Sequence, residues 1–103
     1  MYDGFSFFVL WWMENLGLVP RGEAGAYIDG GKRIAIDGEH PLNPHGGQLS
    51  EGRLHGHGGI LEAVQQLRGT AGPRQTSPRN TAIISSVIPD AIGAAGILAR
   101  EWH

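Results

Sequence analysis

The stretch NPHGGQLSEGRLHGHGG, residues 43–59, packs six glycines, three histidines, one arginine and one glutamate into seventeen positions. Imidazoles beside free backbone suggest three chemistries: a metal site, an anion-cradling loop, or a nucleophile with its base. His55 and His57 are two apart and His45 lies ten residues upstream of His55, so a helix would turn the nearer pair to different sides. No HExxH or His-x3-His pattern exists, so a metal site is not expected, and histidines satisfied by backbone or water are the favoured alternative. Gly46-Gly47 and Gly58-Gly59 precede helix-forming sequence whose free N–H groups attract anions, but the GxxxxGK[ST] pattern is missing. Ser50 lies near His55, yet no G-x-S-x-G elbow surrounds it or Ser85-Ser86. Arg53, just ahead of a predicted helix, is a cation where cations are disfavoured, which points to an anionic ligand or to plain solvation. Tyr2 and Asp3 could form an acid/base pair, against the simpler reading of Tyr2 as a packed terminal aromatic.

The elements that must position these residues follow from periodicity and punctuation. Ser6 reads as an N-cap and Gly17 as a C′ glycine, giving a helix over 7–16 that is apolar almost all round and should be buried on most sides. RGEAGAYID (21–29) reads as a short second helix, KRIAI (32–36) as a short strand, and residues 39–53 as loop. A third helix is predicted over 54–68, with Ile60, Leu61, Val64 and Leu67 as its apolar stripe and Gly69 closing it. After an exposed loop at 70–80, TAIISSVI (81–88) and GAAGILARE (93–101) read as strands joined by a tight connection. This order is an α/β or α+β arrangement in a single domain spanning 1–103.

Composition narrows the function. The 103 residues carry a net charge of −2, too near neutral for a general nucleic-acid binder. Having no cysteine, the chain has no disulfide framework, thiolate metal site or cysteine nucleophile of its own. The apolar run FSFFVLWWM (5–13) is too short for a membrane span and lacks the basic flank of a signal peptide, so a cytoplasmic location is expected.

Two longer stretches carry a resemblance: YDGFSFFVLWWMENLGLVPRGEAGAYID (2–29) and PLNPHGGQLSEGRLHGHGGILEAVQQLRGTAG (41–72). In this order they resemble the C-terminal half of thiolase-like lipid-transfer proteins, relatives of the sterol-carrier-protein-x thiolases of lipid and steroid degradation. The resemblance implies an α/β fold, the C-terminal part of the layered thiolase fold. Its mixed sheet ends in two antiparallel strands covered by helices, and the chain is incomplete against the family's two-half core. It also implies that helix 7–16 lies between the two sheets of a whole enzyme.

Residue by residue, the family's NEAF motif matches Tyr2-Asp3-Gly4-Phe5, so Tyr2 stands where the oxyanion-hole asparagine would be. The family's GHP histidine falls at Arg53, with His55 two residues late. The second thiolase cysteine would fall around Ser86–Asp90, where none is present. The resemblance therefore implies Tyr2, Arg53 and His55 as candidate catalytic residues and His45, Gly46 and Gly47 as candidate substrate-binding residues. It implies no metal and no cofactor beyond a coenzyme A thioester as substrate. The expected role is a C-terminal domain or subunit handling acyl-CoA thioesters, acyltransferase-like or retro-aldolase-like, inactive alone and completed by an N-terminal thiolase half or homologous subunit in an oligomer. The alternative is a non-catalytic module that dimerises or docks on a full-length relative.

Overall fold

A computed structural model describes residues 1–52, 54–88 and 92–100. Three helices, α1 (Ser6–Asn15), α2 (Ala24–Ile28) and α3 (His57–Arg68), precede an antiparallel pair, β1 (Thr81–Ile88) and β2 (Ile92–Ala99). Short 3-10 turns at Gln48–Ser50 and Gly72–Arg74 punctuate the loops. The helices and the paired last strands match the α/β architecture expected from the resemblance.

The end of α1 follows from its sequence. Gly17 sits at φ +70°, and the N–H groups of Gly17 and Leu18 donate to the carbonyls of Glu14 and Met13, each at 3.0 Å. This reciprocal pair is the Schellman arrangement that a C′ glycine permits. The start differs from expectation: Phe5 is the N-cap residue, Ser6 lies inside the helix, and no side chain caps it. Burial is one-sided as well. Phe8, Val9, Trp12 and Met13 are buried, while Phe7 and Trp11 stay 45% and 44% exposed. Val9 and Met13, with Val19 and Ala24, form a core cluster that Leu10, Leu18, Ile34 and Leu42 surround. The Ala24 N–H donates to Glu14 Oε1 at 3.3 Å, tying the start of α2 to α1.

The strand expected at 32–36 does not form; that segment is turns. Its backbone bonds locally instead. Arg33 and Ile34 carbonyls accept from His40 and Leu42 at 2.9 and 3.1 Å, and Gly38 N–H donates to Ala35 O at 2.8 Å. A Cβ at Gly38 would press on the Lys32 and Arg33 carbonyls, so glycine is what allows this return. A short apolar alternation is a strand only if a neighbour takes its hydrogen bonds, and here the loop's own backbone takes them.

β1 and β2 pair from Thr81↔Ala99 to Ile88↔Ile92, and α3 packs chiefly on β1. The α3 helix begins at His57, three residues later than predicted, because His55 (φ +51°) and Gly56 (φ +90°) are left-handed. Its buried face carries a charge. Glu62 is 5% exposed and takes Arg74 Nη2 at 3.0 Å, while Gln66 Nε2 bonds Glu62 Oε1 at 2.8 Å and the Arg74 carbonyl at 2.7 Å. Burial pushes the Glu62 carboxyl up, but hydrogen bonds from Arg74 and Gln66 and the Arg74 charge outweigh it and hold it below its usual 4.5. A depressed folded value gives stability that is present above the unfolded value and lost as pH falls through the folded one. Glu62→Gln is therefore expected to cost about 1–2 kcal/mol at pH 7, the low side for a buried pair because Arg74 is half exposed. In urea unfolding the gap to the unmodified chain should shrink by pH 3; a gap unchanged between the two pH values would mean that the charge contributes nothing.

Candidate functional site

The glycine-rich loop is laid against the N-terminal segment by specific bonds. Asn43, at φ +44°, donates through Nδ2 to the Met1 carbonyl at 2.8 Å and accepts Gly46 N–H on its own carbonyl at 2.8 Å. Asp3 Oδ1 accepts the backbone N–H of Gln48 at 3.0 Å. Gly47, at φ +76° and ψ −171°, lies directly beneath that carboxylate, and a Cβ there would overlap it. Ser50 Oγ–H closes the turn onto the Gly46 carbonyl at 3.0 Å. Further along, the His55–Gly56 turn docks on the sheet, where Ser86 Oγ–H donates to the His55 carbonyl at 3.2 Å.

These contacts border a cavity of about 470 Å³ between the 1–3 segment, the 39–48 loop, α3 and β1. Met13, Leu18, Ile34, Leu42, Leu67 and Ile84 give it apolar walls, and Tyr2, Asp3, His45, Gln48 and Glu62 bring polar groups to it. Tyr2 is held by its N–H on Ser85 Oγ at 3.3 Å and by its ring stacked on Phe8 at 6.3 Å. His45 Nε2 meets Glu51 Oε1 at 3.0 Å. Among the described residues, two buried side-chain atoms of residues that border it have no hydrogen-bond partner, His45 Nδ1 and Gln48 Nε2, and both are enclosed by protein rather than open to the cavity. An apolar recess bordered by a few polar side chains is what a small-molecule site requires.

Of the residues singled out in the sequence, the structure brings Tyr2 and His45 to this cavity. Gly46 and Gly47 shape the loop behind it and are not among its lining residues. His55 is exposed and contributes its carbonyl to the loop–sheet contact. Arg53 lies outside the described residues, as do Pro89 to Ala91 of the tight connection. Asp3 serves as a backbone acceptor for Gln48 rather than as a partner of the Tyr2 phenol. Ser50 bonds the Gly46 carbonyl, so its hydroxyl is taken up in the turn. Among the described residues no three His, Asp or Glu side chains gather where a metal ion could be held.

Sequence reasoning missed Glu51 and Gln48. The signal was there, since a glutamate six residues after a histidine within a turn-rich loop can fold back to it, but only the turn geometry fixes that return. Also among the described residues, no helix is long and apolar enough to cross a membrane.

Residues 1–89 match the family described as thiolase C-terminal domain-like. Two curated relatives are each 48% identical over 71 residues, 69% of this chain: a 17-hydroxy-3-oxo-4-pregnene-20-carboxyl-CoA lyase of Mycobacterium tuberculosis and a steroid side-chain-cleaving aldolase of Thermomonospora curvata. A solved chain of an Ltp2-ChsH2(DUF35) aldolase superposes with a TM-score of 0.81 at 37% identity, over 96% of this chain and 25% of that one. The present chain spans 18% of the length of each of those curated relatives. With the family match, the identity and the superposition in agreement, the chain belongs to the thiolase C-terminal domain-like family.

Proposed function

We propose that this domain supplies one wall of an acyl-CoA thioester site in a thiolase-superfamily enzyme of lipid or steroid side-chain metabolism. Its chemistry is closer to aldol cleavage than to Claisen condensation. The observation that carries this is the apolar cavity that Tyr2 and His45 border. Claisen acyl transfer in thiolases also uses a second cysteine, which the resemblance places around Ser86–Asp90, and no cysteine is present there. Aldol cleavage needs only proton movement and stabilisation of an enolate, for which Tyr2, Arg53 and the histidines have suitable groups. The names of the similar lyase and aldolases support the same choice. A coenzyme A thioester is the substrate and no separate cofactor is invoked. An N-terminal thiolase half or a homologous subunit completes the site in a cytoplasmic oligomer.

The expected result is no measurable cleavage or thiolysis by this chain alone and turnover once it is combined with an N-terminal thiolase half, assayed with a β-hydroxyacyl-CoA. Robust turnover by the chain unaided would sink the proposal. One observation favours a non-catalytic docking role instead: Phe5, Phe7 and Trp11 leave an aromatic strip exposed on and beside α1. Arg53→Ala separates the two readings. Catalysis predicts loss of activity in an assembled complex, whereas a docking role predicts loss of assembly, read by native mass spectrometry.

A further inference from the structure

Resting on that reading, we propose that the half which completes the site docks by adding one extended, uncharged β-strand to the free edge of β1 inside the cavity. The register shows which backbone groups are free. Arg100 N–H donates to the Asn80 carbonyl at 2.9 Å, one step beyond the Thr81↔Ala99 pair, so residues 80 and 100 face each other as a hydrogen-bonded pair. Bonded and non-bonded pairs alternate along an antiparallel ladder, so Ala82 and Ile84 turn their N–H and C=O to β2. Thr81, Ile83 and Ser85 turn theirs the other way, to the edge opposite β2. Among the described residues no backbone group bonds them there, and the bond from Tyr2 N–H to Ser85 Oγ ends on a side chain.

That edge borders the cavity. Successive residues of a strand point to opposite faces, yet Thr81, Ala82, Ile83, Ile84 and Ser85 all line the space, whereas no described residue of β2 does. Space that meets both faces of one strand and misses its neighbour lies beside the strand, not above it. Along β1 those five residues run about 17 Å, enough to pair a strand of similar length.

The occupant is set by the groups it must meet. N–H and C=O alternate along the edge as positive and negative ends of dipoles, and another backbone edge repeats the complementary pattern at the same spacing. Met13, Leu18, Ile34 and Leu42 make the surrounding walls apolar, so the incoming side chains are uncharged. Because α3 and the 39–48 loop also border the cavity, the edge is recessed, and the β1 of a second copy, recessed in the same way, cannot reach it. A two-stranded sheet is marginal by itself, and a third strand stabilises it. The solved aldolase chain has polypeptide to supply one, since this chain covers 25% of it and three quarters lie outside the match. The added strand walls the cavity along β1, and the thioester keeps the part toward Tyr2 and His45.

The test is amide hydrogen exchange of the full chain, read by NMR, with two capped hexapeptides of alternating valine and threonine as probes. One is plain and the other is N-methylated at every residue, which removes its donors. The plain peptide should slow exchange at Thr81, Ile83 and Ser85 at least about tenfold and leave Ala82 and Ile84, already bonded to β2, unchanged. The methylated peptide at the same concentration should slow none of them. Ile83→Pro removes one edge donor and spares the ladder to β2, so it should weaken the plain peptide about tenfold. If that variant does not fold, the methylated peptide makes the same comparison without a change in the protein. Equal slowing by both peptides, slowing instead at Ala95, Ile97 and Ala99 on the far edge of β2, or no slowing at all overturns the docking edge. Slowing that grows with protein concentration in the absence of peptide overturns it too, in favour of a second copy. Turnover of the assembled complex judges the thioester reading separately: turnover without strand pairing leaves that reading standing, and pairing without turnover removes that reading and leaves this inference.

Discussion

Met13→Ala is expected to lower the unfolding free energy by about 2–5 kcal/mol, the range for emptying a well-packed core position. Met13 is 1% exposed and belongs to the core cluster with Val9, Val19 and Ala24 that joins α1 to the 18–24 segment. It also borders the cavity, so truncation enlarges a void that is already present instead of inviting collapse around a closed hole. For a domain of this size each kcal/mol moves the midpoint by about 4–8 °C, so the loss should reach roughly 8–40 °C in a thermal melt. Met13→Leu keeps the volume and should cost less than about 1.5 kcal/mol. Trp11→Ala, on the half-exposed side of the same helix, should also fall well short of Met13→Ala despite removing far more atoms. Equal losses for Met13→Ala and Trp11→Ala in calorimetry would mean that the inner face of α1 is not what anchors the domain.

That contrast shows where the sequence was legible. The glycine stops of α1 and α3, and the pairing of the last two strands, are local signals: a C′ glycine or a β-branched run acts through its own few residues. The all-apolar character of α1 was plain as well, but not which of its sides this chain covers, since that depends on residues far along the chain. The stripe assigned to α3 failed in an instructive way. Leu61 and Ile60 are 59% and 42% exposed, while Glu62 and Ala63 share the buried face with Leu67. A buried glutamate is tolerable only with a partner, and that partner, Arg74, arrives from a loop twelve residues later. No periodicity count could have supplied it.

The site divides along the same line. The glycine density of residues 43–59 announced an unusual backbone, and Tyr2 and His45 were legible as chemistry-bearing residues. What holds them near one another was not, because it runs through contacts of long sequence separation. Tyr2 N–H reaches Ser85, and Gln48 N–H reaches Asp3. A serine in the middle of a strand looks like a solvent-facing position. Here Ser85 is buried and is the polar anchor of the N-terminal segment.

The glycine most exposed to test is Gly47. Its φ of +76° with ψ of −171° lies in a region that only glycine occupies readily, so any side chain costs about 1–3 kcal/mol before its surroundings are considered. The surroundings add to it. A new Cβ would overlap the Asp3 carboxylate, and expelling that group forfeits its bond to Gln48 N–H, a charge-assisted bond worth about 1.5–3 kcal/mol. Gly47→Ala is therefore expected to cost about 3–5 kcal/mol in urea unfolding. Gly46 is a gentler case: it too has a positive φ, but the group a Cβ meets there is the Ser50 hydroxymethyl, which can rotate. The two contributions at Gly47 separate in a double-mutant cycle with Asp3→Ala. If steric expulsion matters, Gly47→Ala should cost at least about 1 kcal/mol less once the carboxylate is gone. If the cost is the same with and without Asp3, backbone strain accounts for all of it. A total below about 1 kcal/mol would contradict both, and would mean that the loop does not need this conformation to hold Gln48 and His45 at the cavity.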